Sequence, residues 1–391
     1  MTGQTAIANT YSRFPVTLVK GGGCRLWDDR GREYIDFAAG IAVSSLGHCH
    51  PRVIEAARSQ LETLIHVSNL YWTRPQMELA ECLVRHSFAD RVFFCNSGAE
   101  AVEAAVKLAR RRGHDLYGSN CYEVVCLEGS FHGRTLATVT ATGQSVYQRG
   151  FEPLPAGFLH VPMDNVGALR LAVGPRTAAI LIEPIQGEGG VRPVSQEFLM
   201  EARRLCDERG ILLMFDEVQV GVGRTGTLFA YEQTGVTPDV VCLAKALGGG
   251  LPIGAMLARD EAMVHLPPGS HASTFGGNPV SCAAAKAVLE VMTGPGFLDK
   301  VKDAGAYLQE GLRSLATSYR DKIADVRGVG LIQAVEFAHP VPDLATGLLE
   351  DGFLTILSHA RVLRLVPPLI IEKEDIDLLL EALKKRVAAL K

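Results

Sequence analysis

ILLMFDEVQ at residues 211–219 and VVCLAKALGGG at residues 240–250 each join a short apolar run to charged residues or glycines. Similar runs occur at residues 91–95, 123–127, 178–183 and 254–258. Runs of this length that are apolar throughout, and not only at every second residue, are typical of strands buried on both faces. These runs therefore predict the strands of a sheet, with residues 211–215 and 240–244 among them.

Helix-like stretches of sequence separate several of these runs. Two of them, residues 99–112 and 196–209, have the length of a helix. Strands that alternate with helices indicate an α/β fold with a mainly parallel sheet flanked by helices on both faces. Many of the 40 glycines lie at the turns between the runs, where tight strand–helix connections require them.

The pattern changes after about residue 285. Helix-like stretches at residues 283–292 and 300–317 precede strand-like runs at 323–326, 331–337, 353–357 and 361–366. A last amphipathic helix is predicted from apolar residues three and four positions apart, namely Ile376, Leu380, Leu383, Val387 and Leu390. We expect a large domain at residues 49–285 and a smaller α/β domain that combines residues 1–48 with residues 286–391.

Composition argues against several classes of protein. Of the 391 residues 47% are apolar, which is enough to build a sizeable core. The 39 basic and 43 acidic side chains give a net charge of −4, and this balance argues against a dedicated binder of nucleic acid or of a membrane surface. No apolar run approaches the ~18 residues that indicate a membrane-spanning helix. The N-terminus shows no signal peptide, and the nine cysteines are never spaced C-x-x-C. We expect a cytoplasmic protein whose cysteines are thiols.

Polar residues follow the predicted strands. They are Asn96, Ser97, Gly98, Glu128, Glu183, Asp216, Glu217 and Lys245. In open α/β sheets, ligands bind beyond the carboxyl ends of the strands. The sequence therefore predicts that one lysine, several carboxylates and a glycine turn meet at one edge of the sheet.

Ser97 and Glu100 have the S-x-x-E spacing of a helix capping box. The free amides of such a first turn can hold a phosphate, although an ordinary capped helix shows the same spacing. Lys245 ends an apolar run, and a lysine in such a place has a lowered pKa if it is desolvated. A lowered pKa suits a lysine that forms a Schiff base, and a solvated lysine at the end of a strand is the alternative.

Other motifs point to chemistry that the remaining sequence does not support. The hydrophobic run before Asp216 resembles that of a nucleotide hydrolase, but Gly-Lys, which the phosphate loop of those enzymes needs, never occurs. Residues 221–226 match G-x-G-x-x-G without adjoining a strand, so a glycine-rich loop is favoured over a dinucleotide site. His48, Cys49 and His50 lack the second ligand pair of a structural zinc site and predict a turn before a helix near Pro51. We expect no metal.

Seven stretches of the chain resemble, in order, the class III (subgroup II) pyridoxal-phosphate aminotransferases. They are DFAAGIAVSSLGHCHP, NSGAEAVEAAVKLAR, FHGRT, EPIQGEGGV, FDEVQVGVGRTG, AKALGGGLPIGAM and STFGGNP. The resemblance covers nearly the whole chain and, within the class, is greatest to the acetylornithine aminotransferases. It implies the type I pyridoxal-phosphate aminotransferase fold and a homodimer with shared active sites.

The resemblance also implies roles for residues around pyridoxal 5'-phosphate. Lys245 would form a Schiff base with the cofactor and then shuttle a proton, and Asp216 would pair with the pyridine nitrogen. Gln219 would contact the phenolic oxygen of the ring, and Phe131 would stack on one ring face. The phosphate would be bound by Ser97, Gly98 and Ala99 together with Thr274 of the partner subunit.

Substrate recognition is implied in the same way. Arg134 resembles the clamp for the α-carboxylate, and Ser273 belongs to the same expected substrate-binding set. Glu188 and Arg364 resemble a gate that is paired for one substrate and opened for a second carboxylate. Ile41 stands where ornithine aminotransferases carry a tyrosine, which favours an acylated tail over a free amine.

The expected reaction is therefore transfer of the δ-amino group of N2-acetylornithine to 2-oxoglutarate. Another ω-aminotransferase of the class remains an alternative, with ornithine, succinylornithine, 4-aminobutyrate or N-succinyl-diaminopimelate as donor. More distant alternatives are a dinucleotide-dependent oxidoreductase, which rests on residues 221–226, and a binding protein without catalysis.

Overall fold

The structure is a computed structural model, and it describes residues 6–390. Its strands, in chain order, are β1 Leu18–Gly22, β2 Arg25–Asp28, β3 Glu33–Asp36, β4 Arg91–Cys95, β5 Glu123–Leu127, β6 Phe158–Val161, β7 Thr177–Ile182, β8 Ile185–Gln186, β9 Arg192–Pro193, β10 Leu212–Asp216, β11 Val240–Leu243, β12 Gly254–Ala258, β13 Ile323–Val329, β14 Ile332–Phe337, β15 Phe353–Leu354, β16 Ile356–Ser358 and β17 Val362–Leu365.

Helices connect most of these strands. They are α1 Ala39–Ala42, α2 Pro51–Thr63, α3 Arg74–Arg85, α4 Gly98–Tyr117, α5 Leu136–Ala141, α6 Val166–Ala172, α7 Gln196–Arg209, α8 Asp260–Met263, α9 Pro279–Met292, α10 Phe297–Ser318, α11 Leu344–Glu350 and α12 Lys373–Ala389. The first of these is a single turn whose residues have positive φ.

The central sheet has seven strands in the order β4-β12-β11-β10-β7-β5-β6. Strand β12 runs antiparallel to β4 and β11, and the remaining neighbours pair in parallel. The inner strands β5, β7, β10, β11 and β12 are buried along their whole length, as expected of strands covered on both faces. The predicted α/β fold with a mainly parallel sheet is confirmed.

Most predicted strands lie within a residue or two of the observed ones, whereas helices α4, α9 and α10 extend three to five residues beyond their predicted bounds at one end. Strand β6 was missed, because its sequence FLHV at residues 158–161 is short and includes a histidine. The run at residues 353–357 was predicted as one strand but forms two, β15 and β16, in different sheets. Strand β15 pairs with β3, whereas β16 pairs with β17, so the chain changes sheet at Thr355.

Strands from the N-terminal and C-terminal parts of the chain form two four-stranded sheets. Their orders are β1-β2-β3-β15 and β13-β14-β17-β16. The parallel pairing of β3 with β15 joins the N-terminal segment to residues beyond 350. The expected division into a domain of residues 49–285 and a domain of residues 1–48 with 286–391 stays a prediction. Among residues 6–390, no helix has the length and apolar character needed to cross a membrane.

Gly254 shows how closely the sheet packs around the segment that follows β4. A methyl group at Gly254 would overlap the carbonyl oxygen of Ser97 and come within 2.7 Å of the Cys95 sulfur. Backbone atoms cannot move aside cheaply, so Gly254→Ala should destabilise the fold by about 1 to 3 kcal/mol. Urea unfolding measures this difference.

Gly174→Ala is the matched control, because a Cβ at that position would meet no atom within 4 Å. Equal stability of the two variants would contradict the packing described for Gly254.

Candidate active site

The carboxyl ends of β4, β7, β10 and β11 open into one cavity of about 310 Å³. The start of β12 lies at the same edge because this strand runs antiparallel. Residues from all of these ends line the cavity, including Asn96, Ser97, Gly98, Ala99, Phe131, His132, Glu183, Asp216, Gln219 and Lys245. The sheet edge predicted from the sequence therefore does gather these groups.

Lys245 follows β11 directly and has a φ of 40°, in the left-handed region that a lysine seldom adopts. Its side chain is half-buried and faces the cavity. Burial lowers the pKa of Lys245, and the neighbouring Arg364 guanidinium lowers it further, while the Glu188 and Asp216 carboxylates oppose the change. The alternative of a solvated lysine at the end of a strand is wrong.

Asp216 ends β10 and is buried at the floor of the site. Its Oδ2 lies 2.8 Å from Nδ1 of His132, and its Oδ1 accepts a hydrogen bond from the Val218 backbone amide at 3.0 Å. These contacts hold both carboxylate oxygens in place. The sequence did not predict His132 as a partner of Asp216, because the two residues lie 84 positions apart and nothing local to either indicates the pairing.

Glu183 also reaches the cavity from the end of β7. Its Oε2 accepts a hydrogen bond from the Phe131 amide at 2.8 Å. Burial, followed by repulsion from the Asp216 carboxylate, raises the pKa of Glu183 well above its usual value. The carboxyl group thereby fixes the backbone at Phe131 while favouring its neutral form.

Two other carboxylates do not join the cavity, contrary to the prediction. Glu217 turns away from Asp216 and accepts hydrogen bonds from the Ala230 and Tyr231 amides at 2.6 and 2.7 Å. Burial raises the pKa of Glu217 to about 8. Glu128 is exposed at the surface. Adjacent residues at a strand end point in opposite directions, so at most one of Asp216 and Glu217 can face the site.

Helix α4 begins at the cavity. Ser97 Oγ accepts a hydrogen bond from the Glu100 amide at 3.2 Å, which is the first half of the predicted capping box. The second half differs, because the Glu100 carboxylate accepts from the Asn96 amide at 2.5 Å and not from Ser97. The amides of Gly98 and Ala99 lie in the first turn, where the helix itself supplies no acceptor. The positive end of a helix of 20 residues thus faces the cavity.

Half-buried Glu188 and buried Arg364 form an ion pair next to the cavity. Arg364 Nη1 donates to Glu188 Oε1 at 2.7 Å and to the side-chain oxygen of Gln219 at 3.0 Å. Arg364 is 1% exposed, although the sequence alone left a surface strand arginine open. The Arg364 guanidinium lowers the pKa of Glu188 against the effect of burial, which raises it.

Phe131 lines the cavity, and Arg134 lies at the surface beside it. The Arg134 guanidinium is stacked over Tyr147, 4.1 Å from the ring centroid, and lies 5.4 Å from the ring of Phe131. Arg134 is exposed and does not line the cavity, whereas Phe131 does. A guanidinium stacked on an aromatic ring keeps its donors available to a carboxylate.

Ser273 and Thr274 lie outside the cavity of Lys245. They line a second, larger cavity of about 960 Å³ together with Leu70, Tyr71 and Trp72. Ser273 Oγ lies 3.3 Å from the Asn96 side-chain nitrogen, and Thr274 is exposed. The structure thus does not bring these two residues to Lys245 of the same chain.

Two motifs set aside in the sequence take the forms predicted for them. Residues 221–226 form a glycine-rich loop, and no helix begins at its last glycine, so the strand–loop–helix geometry of a dinucleotide site is absent there. His48 Nε2 lies 2.7 Å from Asp36 Oδ2, and helix α2 begins at Pro51.

Residues 6–387 match the family model described as aminotransferase class-III. The chain is 50% identical to the acetylornithine aminotransferase of Thermosynechococcus vestitus over 98% of this chain and 95% of that protein. The N-acetylornithine aminotransferase of Stenotrophomonas maltophilia superposes with a TM-score of 0.84 at 37% identity, covering 97% of each chain.

An ornithine aminotransferase of Toxoplasma gondii, described with partial occupancy of PLP at its active site, superposes with a TM-score of 0.94. It is 36% identical and covers 98% of this chain and 92% of that one. The chain belongs to the class III aminotransferases, a family of pyridoxal-phosphate-dependent enzymes. It has the fold of these aminotransferases.

The residues of the cavity fit pyridoxal 5'-phosphate. An amine of lowered pKa suits the aldehyde, and a buried carboxylate, Asp216, suits a protonated ring nitrogen. The N-terminus of α4 suits the phosphate. The volume of about 310 Å³ is that of a site for one small ligand.

The charge of Glu188 makes a prediction about Lys245. Glu188 opposes the lowering of the Lys245 pKa, and Arg364 reinforces it. Glu188→Gln should therefore lower the pKa of Lys245 further, because the amine would then face Arg364 without the compensating carboxylate. Reductive methylation of the apoenzyme, followed by peptide mass spectrometry across pH, should show labelling of Lys245 at lower pH in the variant.

Glu336→Gln is the control, because Glu336 pairs with Arg327 and Arg361 in the sheet of β13 and β14. No shift for Glu188→Gln, or a shift to higher pH, would contradict the electrostatic coupling.

Proposed function

We propose that this aminotransferase moves the δ-amino group of N2-acetylornithine to 2-oxoglutarate, producing N-acetylglutamate 5-semialdehyde and glutamate. One observation carries the proposal above all: Lys245 and Asp216 line the same cavity while the Glu188–Arg364 pair lies beside it. The first two residues supply transamination chemistry, and the pair supplies selection between substrates.

When bound, pyridoxal phosphate supplies a carbonyl group that condenses with amines and a ring that accepts electrons. Lys245 is the amine that would hold the cofactor. With substrate in the cavity, the Lys245 amine would take a proton from the substrate carbon that carries nitrogen. A lowered pKa keeps that amine neutral and able to accept the proton at moderate pH.

The other residues of the cavity would orient the cofactor. Asp216, held by His132, would present a negative charge to the ring nitrogen, and Gln219, which lines the same cavity, would contact the phenolic oxygen. Phe131, whose amide is held by Glu183, forms one wall for the ring. Ser97, Gly98 and Ala99 would bind the phosphate at the start of α4.

Charge explains how one site accepts two unlike substrates in turn. In the paired state Glu188 neutralises Arg364, which suits a donor without a second free carboxylate near it. When 2-oxoglutarate or glutamate binds, Arg364 would leave Glu188 and hold that carboxylate bidentately. Arg134 would hold the other carboxylate from its place beside Phe131 and Tyr147.

Ile41 supports the acylated donor. It is 48% exposed on the left-handed turn α1, two residues before Val43, which lines the cavity of Lys245. A β-branched residue at a φ of 66° is strained, and such strain clusters at functional sites. Ile41 also lines a separate, mainly apolar cavity with Leu26 and Phe353.

The test measures the donor half-reaction by the change in cofactor absorbance. N2-acetylornithine should react at least about tenfold more efficiently than ornithine, succinylornithine, 4-aminobutyrate or N-succinyl-diaminopimelate. Lys245→Ala should slow turnover by at least about a thousandfold and leave no lysine that borohydride can fix to the cofactor. His114→Ala, at the exposed end of α4, is the control.

If another amine donor reacts most efficiently, the proposed substrate is wrong, although the reaction is still a transamination. Turnover of Lys245→Ala at the rate of the unchanged enzyme would overturn the assignment of Lys245.

We also propose that the chain works as a homodimer with shared sites, in the cytoplasm. Leu70, Tyr71 and Trp72 are 84%, 70% and 85% exposed next to one another, and they border Ser273 and Thr274. An exposed apolar patch of this kind is typical of a protein interface. A second copy seated there would let Thr274 and Ser273 of one subunit reach the cavity of the other.

Trp72→Asp should therefore dissociate the dimer and weaken cofactor binding, because it places a charge in the interface. Light scattering coupled to size exclusion measures the mass. Leu171→Asp is the matched control, since Leu171 is 89% exposed on α6 away from this patch. A monomeric unchanged enzyme, or a dimeric Trp72→Asp variant with full activity, would contradict the shared site.

A further inference from the structure

Arg224, in the glycine-rich loop at residues 221–226, is the largest side chain that the described part of the chain buries completely. Its Nη1 donates to the carbonyl oxygens of Leu331, at 2.9 Å, and of Pro367. Its Nη2 donates to Ser45 Oγ at 3.0 Å. One guanidinium thus joins three segments that are far apart in the chain.

Within residues 6–390, no carboxylate forms an ion pair with this cation. Burial lowers the pKa of Arg224 to about 9, and the distant Asp36 carboxylate opposes the change. A buried charge compensated only by neutral oxygens is costly, and filling a core position would not require one. The cost is offset only if all of its oriented contacts form together, so the site demands a fixed arrangement of the three segments.

The segment that leads from β10 into this loop carries residues of the active site. Asp216 ends β10, and Gln219, two residues before the loop, accepts a hydrogen bond from Arg364. Arg364 lies on β17, three residues before Pro367. The segment from Asp216 to Arg224 therefore contacts the same stretch of chain twice, once from Gln219 at the Arg364 side chain and once from Arg224 at the Pro367 carbonyl.

Backbone contacts reinforce the same junction. The Leu331 amide donates to the Arg224 carbonyl at 3.0 Å, and the Leu369 amide donates to the Ser45 carbonyl at 2.7 Å. A Cβ on Gly330 would come within 2.8 Å of the Arg224 carbonyl oxygen, so the two segments touch without a side chain between them.

We propose that Arg224 is a positioning residue that sets the place of Arg364 relative to Lys245 and thereby determines selectivity for the dicarboxylate substrate. The inference rests on the proposed exchange of Arg364 between Glu188 and a substrate carboxylate. Arg224 anchors the backbone after Arg364, so only the Arg364 side chain has to move during that exchange.

Arg224→Lys tests this proposal, because an ammonium lacks the planar fork that spans the three acceptors. In the holoenzyme, the concentration for half-maximal rate with glutamate should rise by about tenfold or more, while the half-reaction with the amine donor changes by less than about threefold. The dissociation constant of glutarate, a dicarboxylate that cannot react, should rise in parallel in a titration of the cofactor spectrum.

Three further variants make the result decisive. Ser45→Ala removes one acceptor of the Arg224 guanidinium and should raise the glutamate concentration for half-maximal rate by about two- to threefold. This variant keeps the test available if Arg224→Lys does not fold. Arg112→Lys is the matched control, because Arg112 donates to the Gly210 carbonyl at 2.7 Å elsewhere in the molecule. It should change neither half-reaction.

Arg364→Met separates this inference from the proposed function. If it leaves glutamate and glutarate binding unchanged, the exchange of Arg364 fails, and the proposed function fails with it. If Arg364→Met weakens the binding of glutamate and of glutarate, while Arg224→Lys and Ser45→Ala leave the binding of both ligands unchanged, only the role of Arg224 is overturned. Equal slowing of the donor and glutamate half-reactions by Arg224→Lys would also overturn it, because a merely structural role predicts that result.

Discussion

Desolvation of Lys245 at the carboxyl end of β11 is the constraint on which the arrangement of the site depends. An amine of lowered pKa must lie close to carboxylates that the chemistry needs, yet a direct ion pair would restore its charge. Among residues 6–390, Asp216, Glu183 and Glu188 each have another partner, and no ion pair joins them to Lys245. The polar contacts of the cavity thus keep the three carboxyl groups from pairing with Lys245.

The topology of the sheet makes this arrangement possible. Parallel strands β7, β10 and β11 end at one edge, and antiparallel β12 begins there after the loop from β11, so three loops meet in a small volume. Each loop brings one or two polar groups whose backbones are fixed by buried strands. Rigid strand ends suit a site in which positions must be held to a fraction of an ångström.

The sequence predicted much of this because its strongest signals are local. Apolar runs identify buried strands, and the order of strands and helices indicates a mainly parallel sheet, so Lys245 and Asp216 were expected at one edge. Local sequence signals failed where the partner of a residue is remote in the chain, or where neighbouring side chains point in opposite directions. His132 and Glu217 are examples: the first reaches Asp216 from 84 positions away, and the second points away from the cavity because neighbouring residues at a strand end face opposite sides.

By itself the sequence determined the class of fold, the helix start at Ser97 and the presence of a lysine at the end of a buried strand, because each depends on a short stretch of chain. Only the tertiary structure decided which charges meet. Glu188 lies 176 positions from Arg364, and Arg224 lies 143 from Pro367, so their contacts depend on how the sheets pack together. Electrostatic energies depend on distance and burial in space, and neither can be read from spacing along the chain.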